Sequence, residues 1–241
     1  MQTTPQNAQK RAVFFDLIVT GAFFGRGGIK VTDIFSFWAV VRRSDRVHAA
    51  DRDVFARVKN HGFDLKCLPG CFGGKLRTAP VVLLYLSPGW SKQDRIEAKS
   101  KKVQDYYMHR RGGHEPFRTE GAGTKWVKSR TKCFGDWDRI GSKIAILNIG
   151  AYHSKSFTDA PLLAALPSSR VSIEWAQEVL FPQAMAGKRV VICLRAARFW
   201  GLEVGRQYGR SLFAPHVTRA GHMMHGAMRG RIIEAVKTKT G

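Results

Sequence analysis

The chain has 241 residues, 44% of them hydrophobic and 24% charged, which is ordinary for a globular protein with a sizeable core. Forty Lys and Arg stand against 18 Asp and Glu, a formal charge of +22. Such an excess repels itself in the folded state and points to a polyanionic partner, nucleic acid first. No uncharged run nears the roughly 18 residues of a membrane span, and four cysteines are too few for a disulfide scaffold.

Residues 1–10 are polar and are expected to be flexible. Ala12–Gly25 follows Lys10 and Arg11 in the manner of a signal peptide, but Asp16 interrupts it and no small-residue cleavage pattern follows. The chain is therefore read as soluble and cytoplasmic (nucleoid-associated if bacterial). Residues 11–75 mix aromatic and basic residues at helical spacing, as in Phe35, Trp38 and Val41, then Val54, Phe55 and Val58. Cys67 and Cys71 are spaced C-x-x-x-C, yet Cys133 and Cys193 are lone and distant. No zinc or iron–sulfur ligand set is completed, so the thiols read as reduced and no metal is expected.

Four short apolar runs follow: Val81–Leu86, Lys143–Asn148, Arg189–Leu194 and Ser211–Ala214. They are rich in Val, Ile and Leu and do not alternate, which predicts strands buried on both faces. Segments between them have helical character, such as Val171–Leu180 with Val171, Trp175 and Val179 on one face. Together they predict a single α/β domain over residues 1–241, with a central four-stranded parallel sheet flanked by helices. Ligands in such sheets bind at the carboxyl ends of the strands. The turns there are Ser87-Pro88-Gly89-Trp90, Asn148 to Lys155, Arg195 to Gly201, and Pro215 to His222.

The order and content of these turns resemble the uracil-DNA glycosylase superfamily. Leu86-Ser87-Pro88-Gly89 resembles the family's Leu-Asn-Pro-Gly turn after the first strand. Asn148 sits where the family places the Asn that reads the uracil edge. Ala214-Pro215-His216 matches the start of its Ala-Pro-His-Pro-Ser-Pro-Leu-Ser motif. The resemblance covers roughly residues 75–235. It implies a metal- and cofactor-independent, monomeric enzyme of base excision repair that hydrolyses the N-glycosidic bond of uracil in DNA.

In that implied site, His216 donates to the base oxygen as the leaving group gains charge, and the Asn148 carboxamide matches O4 and N3–H of uracil. Ser87 stands where the family usually has Asp or Asn. Asp94, seven residues on, is then the candidate carboxylate for water activation, with Ser87 positioning the water. Gly89 allows close backbone approach. Trp90, Tyr106, Tyr107 and Phe117 are candidates to stack on the base, and Tyr152 to shape its pocket. Lys92, Arg110, Arg111, His153, Lys155 and Arg219 are the expected DNA contacts. Residues 92–132 alone carry twelve Lys or Arg against five acids. Arg219 and Ala220 replace the family's Pro-Ser-Pro-Leu wedge, which favours single-stranded substrate. The alternatives are a non-catalytic DNA-binding protein of the same fold, a glycosylase for another deaminated or damaged base, and a metal-dependent nuclease, for which the scattered acids argue poorly.

Overall fold

The computed structural model describes residues 31–155 and 160–241. The expectations for residues 1–10, for Ala12–Gly25 and for the first part of the N-terminal helical region lie outside the described residues. Strands in chain order are β1 (Phe63–Asp64), β2 (Phe72–Gly74), β3 (Val81–Tyr85), β4 (Ile144–Asn148), β5 (His153–Ser154), β6 (Val190–Cys193), β7 (Arg206–Tyr208) and β8 (Leu212–Ala214). The helices that matter here are α1 (Ile34–Ala39), α2 (Arg52–Arg57), α3 (Lys92–Glu97), α4 (Lys101–Arg110), α5 (Ala122–Thr131), α6 (Trp137–Ile140), α7 (Ala160–Ala165), α8 (Pro167–Trp175), α9 (Phe181–Met185) and α10 (Ala227–Thr240).

The main sheet is mixed and six-stranded, in the order β2-β4-β3-β6-β8-β7. Strand β3 pairs in parallel with β4 and with β6, and β6 in parallel with β8. The sheet is thus not the four-stranded parallel one expected: antiparallel edge strands, β2 on β4 and β7 on β8, make it six-stranded and mixed. Their sequences conceal them. Strand β2 is Phe-Gly-Gly, and β7 is the largely exposed Arg-Gln-Tyr. Gly74 has φ +75, and a Cβ there would lie 2.5 Å from the Ile144 carbonyl oxygen, so only glycine lets β2 approach β4.

The parallel strands are buried on both faces, which is why their apolar runs do not alternate. Val82, Leu84, Ala145, Leu147 and Val191 pack with Phe35, Trp38, Leu163, Trp175 and Phe181 on one face. Val81, Leu83, Tyr85, Ile144, Ile146, Ile192 and Phe213 pack with Val127, Phe134, Ile140, Ile232 and Val236 on the other. The helix over Val171–Trp175 widens into a π turn at Ala176–Leu180. Pro182, which has no N–H to offer the preceding turn, follows directly. Residues 31–75 are less helical than expected: two six-residue helices are followed by β1 and β2. Among the described residues no helix is long and apolar enough to cross a membrane.

Strand β4 lies on one side of β3, and β6 and β8 on the other. The chain therefore reverses its winding at β3, and the loops after β3 and β6 diverge. Open α/β sheets place a crevice at such a switch point.

Candidate functional site

The turns after β3 and β4 are knitted together. Gly150 N donates to Leu86 O (2.8 Å) and Ser154 N to Pro88 O (3.1 Å). The hydroxyls of Ser87 and Ser154 lie 3.1 Å apart. A Cβ on Gly150 would fall 2.8 Å from Leu163 Cδ1 and 3.4 Å from Ser87 Cβ, so glycine there permits the close approach. Asn148, the last residue of β4, is the register partner of Tyr85 and lies on the same face of the sheet. It is 9% exposed. Its backbone N–H is held by Cys71 O at 2.6 Å. Its carboxamide makes no hydrogen bond among the described residues and is not one of the enclosed unpartnered groups, so its polar atoms are open to solvent at the sheet end.

His153 belongs to this cluster in a different capacity from the one expected. It is buried, and its Nδ1 lies 2.7 Å from Gly89 O. A carbonyl only accepts, so Nδ1 carries the proton and Nε2 keeps its lone pair. Burial pushes its pKa below the usual 6.5, against the opposing charge of Asp94. A neutral, buried imidazole is not a phosphate-contacting cation. Asp94 closes a capping box at the start of α3: its Oδ2 accepts from Ser91 N (2.6 Å) and Ser91 Oγ (2.7 Å). Its other oxygen takes no bond among the described residues. Gly89 is exposed, with nothing within 4 Å of an added Cβ. Trp90 is half-buried, its ring 5.1 Å from the Arg95 guanidinium, which pairs with Asp64 at 2.6 Å.

Three expected site residues serve the fold instead. Tyr152 is 1% exposed, and its hydroxyl donates to the fully buried Asp51 carboxylate and accepts from His48 N (3.1 Å). Asp51 also accepts from Ser168 N at 3.0 Å, so Tyr152 ties the N-terminal segment to α8 rather than shaping a pocket. Phe117 packs on Gly73, Gly74 and Trp137, near the start of β4, at the opposite end of the sheet from Asn148. Arg111 donates to Ala39 O (2.9 Å), Val41 O and Met108 O (3.1 Å), which pins the end of α4 to the end of α1. Tyr106, a stacking candidate, donates its hydroxyl to Pro116 O at 2.7 Å, and Tyr107 lies under the Arg110 guanidinium, 4.1 Å from the ring centre.

His216 is not brought to this cluster. It is exposed on the far side of β8, with Nε2 3.0 Å from where a Cβ on Gly205 would sit. Strands β8 and β4 are separated by β6 and β3, a distance of about 14 Å at strand spacing.

Of the expected DNA contacts, Lys92, Lys155 and Arg219 are exposed and Arg110 is half-buried. None of the four has a carboxylate partner among the described residues. The guanidinium of Arg110 reaches Gly70, beside Cys71 and the β4 end. Among the described residues no group of three His, Cys, Asp or Glu gathers to hold a metal ion. Cys67, Cys71 and Cys193 are buried free thiols.

Sequence reading passed over a second set of residues at the same sheet end. Tyr85, Trp126, Arg130 and Arg195 meet beneath the Thr218–His222 turn. The available signal was a tyrosine closing an otherwise aliphatic strand, opposite a Trp and an Arg spaced i, i+4 on a helix. Comparison of the chain with family models, curated proteins and solved structures finds no match.

Proposed function

We propose that this protein is a DNA glycosylase that hydrolyses the N-glycosidic bond of uracil without metal or cofactor, acting as a monomer and favouring single-stranded DNA. The observation that carries the proposal is Asn148: a largely buried residue whose carboxamide has no hydrogen-bond partner among the described residues and is not enclosed, at the carboxyl end of a central strand, beside the Ser87–Gly89 turn. Its NH2 donates to O4 of uracil and its oxygen accepts N3–H, whereas cytosine reverses both groups. A site built around such a pair rejects the mismatched base strongly, because its own polar atoms are left unpaired. In this reading the Ser87 hydroxyl holds the attacking water. The Asp94 carboxylate, through the oxygen not used in the cap, offsets positive charge on the sugar. His216 meets the leaving base only when the Pro215–His222 loop carries it inward from Gly205. Lys92, Arg110, Lys155 and Arg219 supply unpaired positive charge for the backbone.

A second reading, a non-catalytic DNA-binding protein of the same fold, is favoured by two specific observations. Asp94 is committed to its capping box, and His216 is exposed beside Gly205, with β6 and β3 between its strand and that of Asn148. One experiment separates the readings: base release from single- and double-stranded uracil oligonucleotides with chelator present, using the parent protein, Asn148→Asp and His216→Ala. Chelator-resistant release is expected, falling about 100-fold or more in Asn148→Asp, whose carboxylate repels O4. Salt-sensitive binding with no base release from either substrate supports the second reading.

A further inference from the structure

Two residues with buried, unpartnered polar atoms meet the same Trp126 ring at the switch point. The Tyr85 hydroxyl and the Arg130 Nε are both enclosed and both lack a hydrogen bond. Tyr85 is 2% exposed and ends β3. The Trp126 ring packs edge-on against it at 4.7 Å, and the Arg130 guanidinium lies 4.8 Å from the Trp126 ring centre. Arg195 lies just past β6. Gly221 bridges the two: a Cβ there would sit 3.2 Å from Tyr85 Cε1 and 3.7 Å from Arg195 Cδ.

Both arginines donate to the loop above them. Arg130 Nη2 bonds Ala220 O at 3.2 Å, and Arg195 Nη1 bonds Arg219 O. Among the described residues none of Arg130, Arg195 and Arg219 has a carboxylate partner. The site thus presents a phenol donor, unused guanidinium donors and uncompensated positive charge. Its two carbonyl acceptors are taken by the arginines and no carboxylate joins them, so the surplus of donors and positive charge disfavours a cation. An acceptor-only anion with several oxygens completes it, and guanidinium groups are well matched to phosphate.

We propose that Tyr85, Arg130 and Arg195 form a phosphate-binding site beneath the Thr218–His222 turn, separate from the Asn148 cluster. The two arginine–carbonyl bonds that hold the turn down involve neutral acceptors, and an anion replaces them with charge-assisted ones. The phosphate comes either from a nucleic-acid backbone or from a free phosphate. Neither source requires base excision, so the site is tested on DNA without uracil.

The test compares the full chain with Tyr85→Phe and Arg130→Met. Tyr85→Phe removes one unpaired oxygen and no packing, so its melting temperature is expected to stay level or rise. Binding of a labelled uracil-free oligothymidylate is read by fluorescence anisotropy across a salt series. Inorganic phosphate is titrated separately, by its effect on melting temperature. For a backbone contact, Tyr85→Phe weakens the oligonucleotide about tenfold, the size of one hydrogen bond to a charged group. Arg130→Met then also flattens the slope of log affinity against log salt by about 0.7. For a free-phosphate pocket, phosphate raises the parent's melting temperature and this rise is lost in Tyr85→Phe. If Tyr85→Phe and Arg130→Met match the parent in both measurements, the proposal is overturned, whatever the outcome for uracil release.

Discussion

Replacing Tyr152 by Phe distinguishes a core residue from a pocket residue at one position. The ring stays, so its edge contacts with Phe55 at 4.9 Å and Phe63 at 6.1 Å are kept and no cavity opens. What is lost is a hydroxyl that serves two buried groups. The Asp51 carboxylate, 0% exposed, keeps only Ser168 N as partner, and His48 N, on a residue 4% exposed, keeps none. An orphaned buried amide costs about 1–3 kcal/mol, and a carboxylate stripped of a donor costs more. Partial relaxation brings the expected loss to about 3 kcal/mol. At about 2–4 °C per kcal/mol for a chain of this size, the melting temperature falls by about 6–12 °C. Burial and the adjacent Asp51 charge push the phenol pKa well above its usual 10, so the native hydroxyl stays protonated and its ionisation does not alter this loss below the unfolded phenol's ordinary pKa of 10. Urea unfolding and thermal melts measure it, with uracil release assayed well below both transitions. The core assignment requires destabilisation with release per folded molecule unchanged. Parent-like stability together with collapsed release would refute it and return Tyr152 to the pocket.

Two further outcomes follow from the buried titratable groups. His153 has a native pKa below 6.5, so as pH falls through that value the unfolded chain takes up a proton that the folded chain refuses. Its contribution to stability is present above pH 6.5 and is lost on the acid side, and His153→Gln should flatten the pH dependence of urea midpoints below 6.5; an unchanged slope would sink the assignment. Burial pushes the Cys67 thiol up to about 11 and those of Cys71 and Cys193 to about 12. In native protein at pH 8 these three should resist iodoacetamide, with half-buried Cys133 reacting first by mass mapping. Rapid modification of Cys67 would show that its loop opens.

The four central strands were legible because each is covered on both faces, and an uninterrupted aliphatic run is the direct imprint of that environment. The edge strands were not. Strand β2 depends on Gly74 for backbone approach to β4 and on Gly73 for room beside the Phe117 ring, and β7 meets solvent. The Asn148 and Ser87 turns were legible by position, since the end of a buried strand fixes where a turn must lie. The identities of their neighbours were not. Tyr152 and His153 follow a Gly-containing turn and look exposed, but His153 pairs with Asp64 across β1 and β5, and Tyr152 closes on Asp51, 101 residues earlier. Arg111 sits in a basic run and resembles a solvent-facing cation. Only the fold brings the carbonyls of Ala39 and Val41 to its guanidinium.

The same distinction changes how the net charge is understood. Part of the arginine excess is structural and has no need of a polyanion. Arg189 is 7% exposed, donates to Ala79 O (2.8 Å) and Leu76 O (2.7 Å), and has its pKa pushed down to about 10 by burial. Arg77 bonds Gly112 O at 2.9 Å, and Arg111 holds carbonyls as described. A guanidinium with five donors suits this work because it can bind several main-chain acceptors at once. These residues would not release counterions on DNA binding. The cations that would include Lys92, Arg110, Lys155 and Arg219, which have no carboxylate partner among the described residues and come from α3, α4 and the turns after β5 and β8, and Arg130 where a phosphate displaces Ala220 O. The first four positions belong to the carboxyl-end side of the parallel strands or to the helices that lead away from it. Exposed Lys188 and Arg210 precede β6 and β8 at the opposite end, so only part of the remaining charge coincides with the sheet end that carries Asn148 and Tyr85. That part, more than the total of +22, links the basic character of the chain to its candidate site.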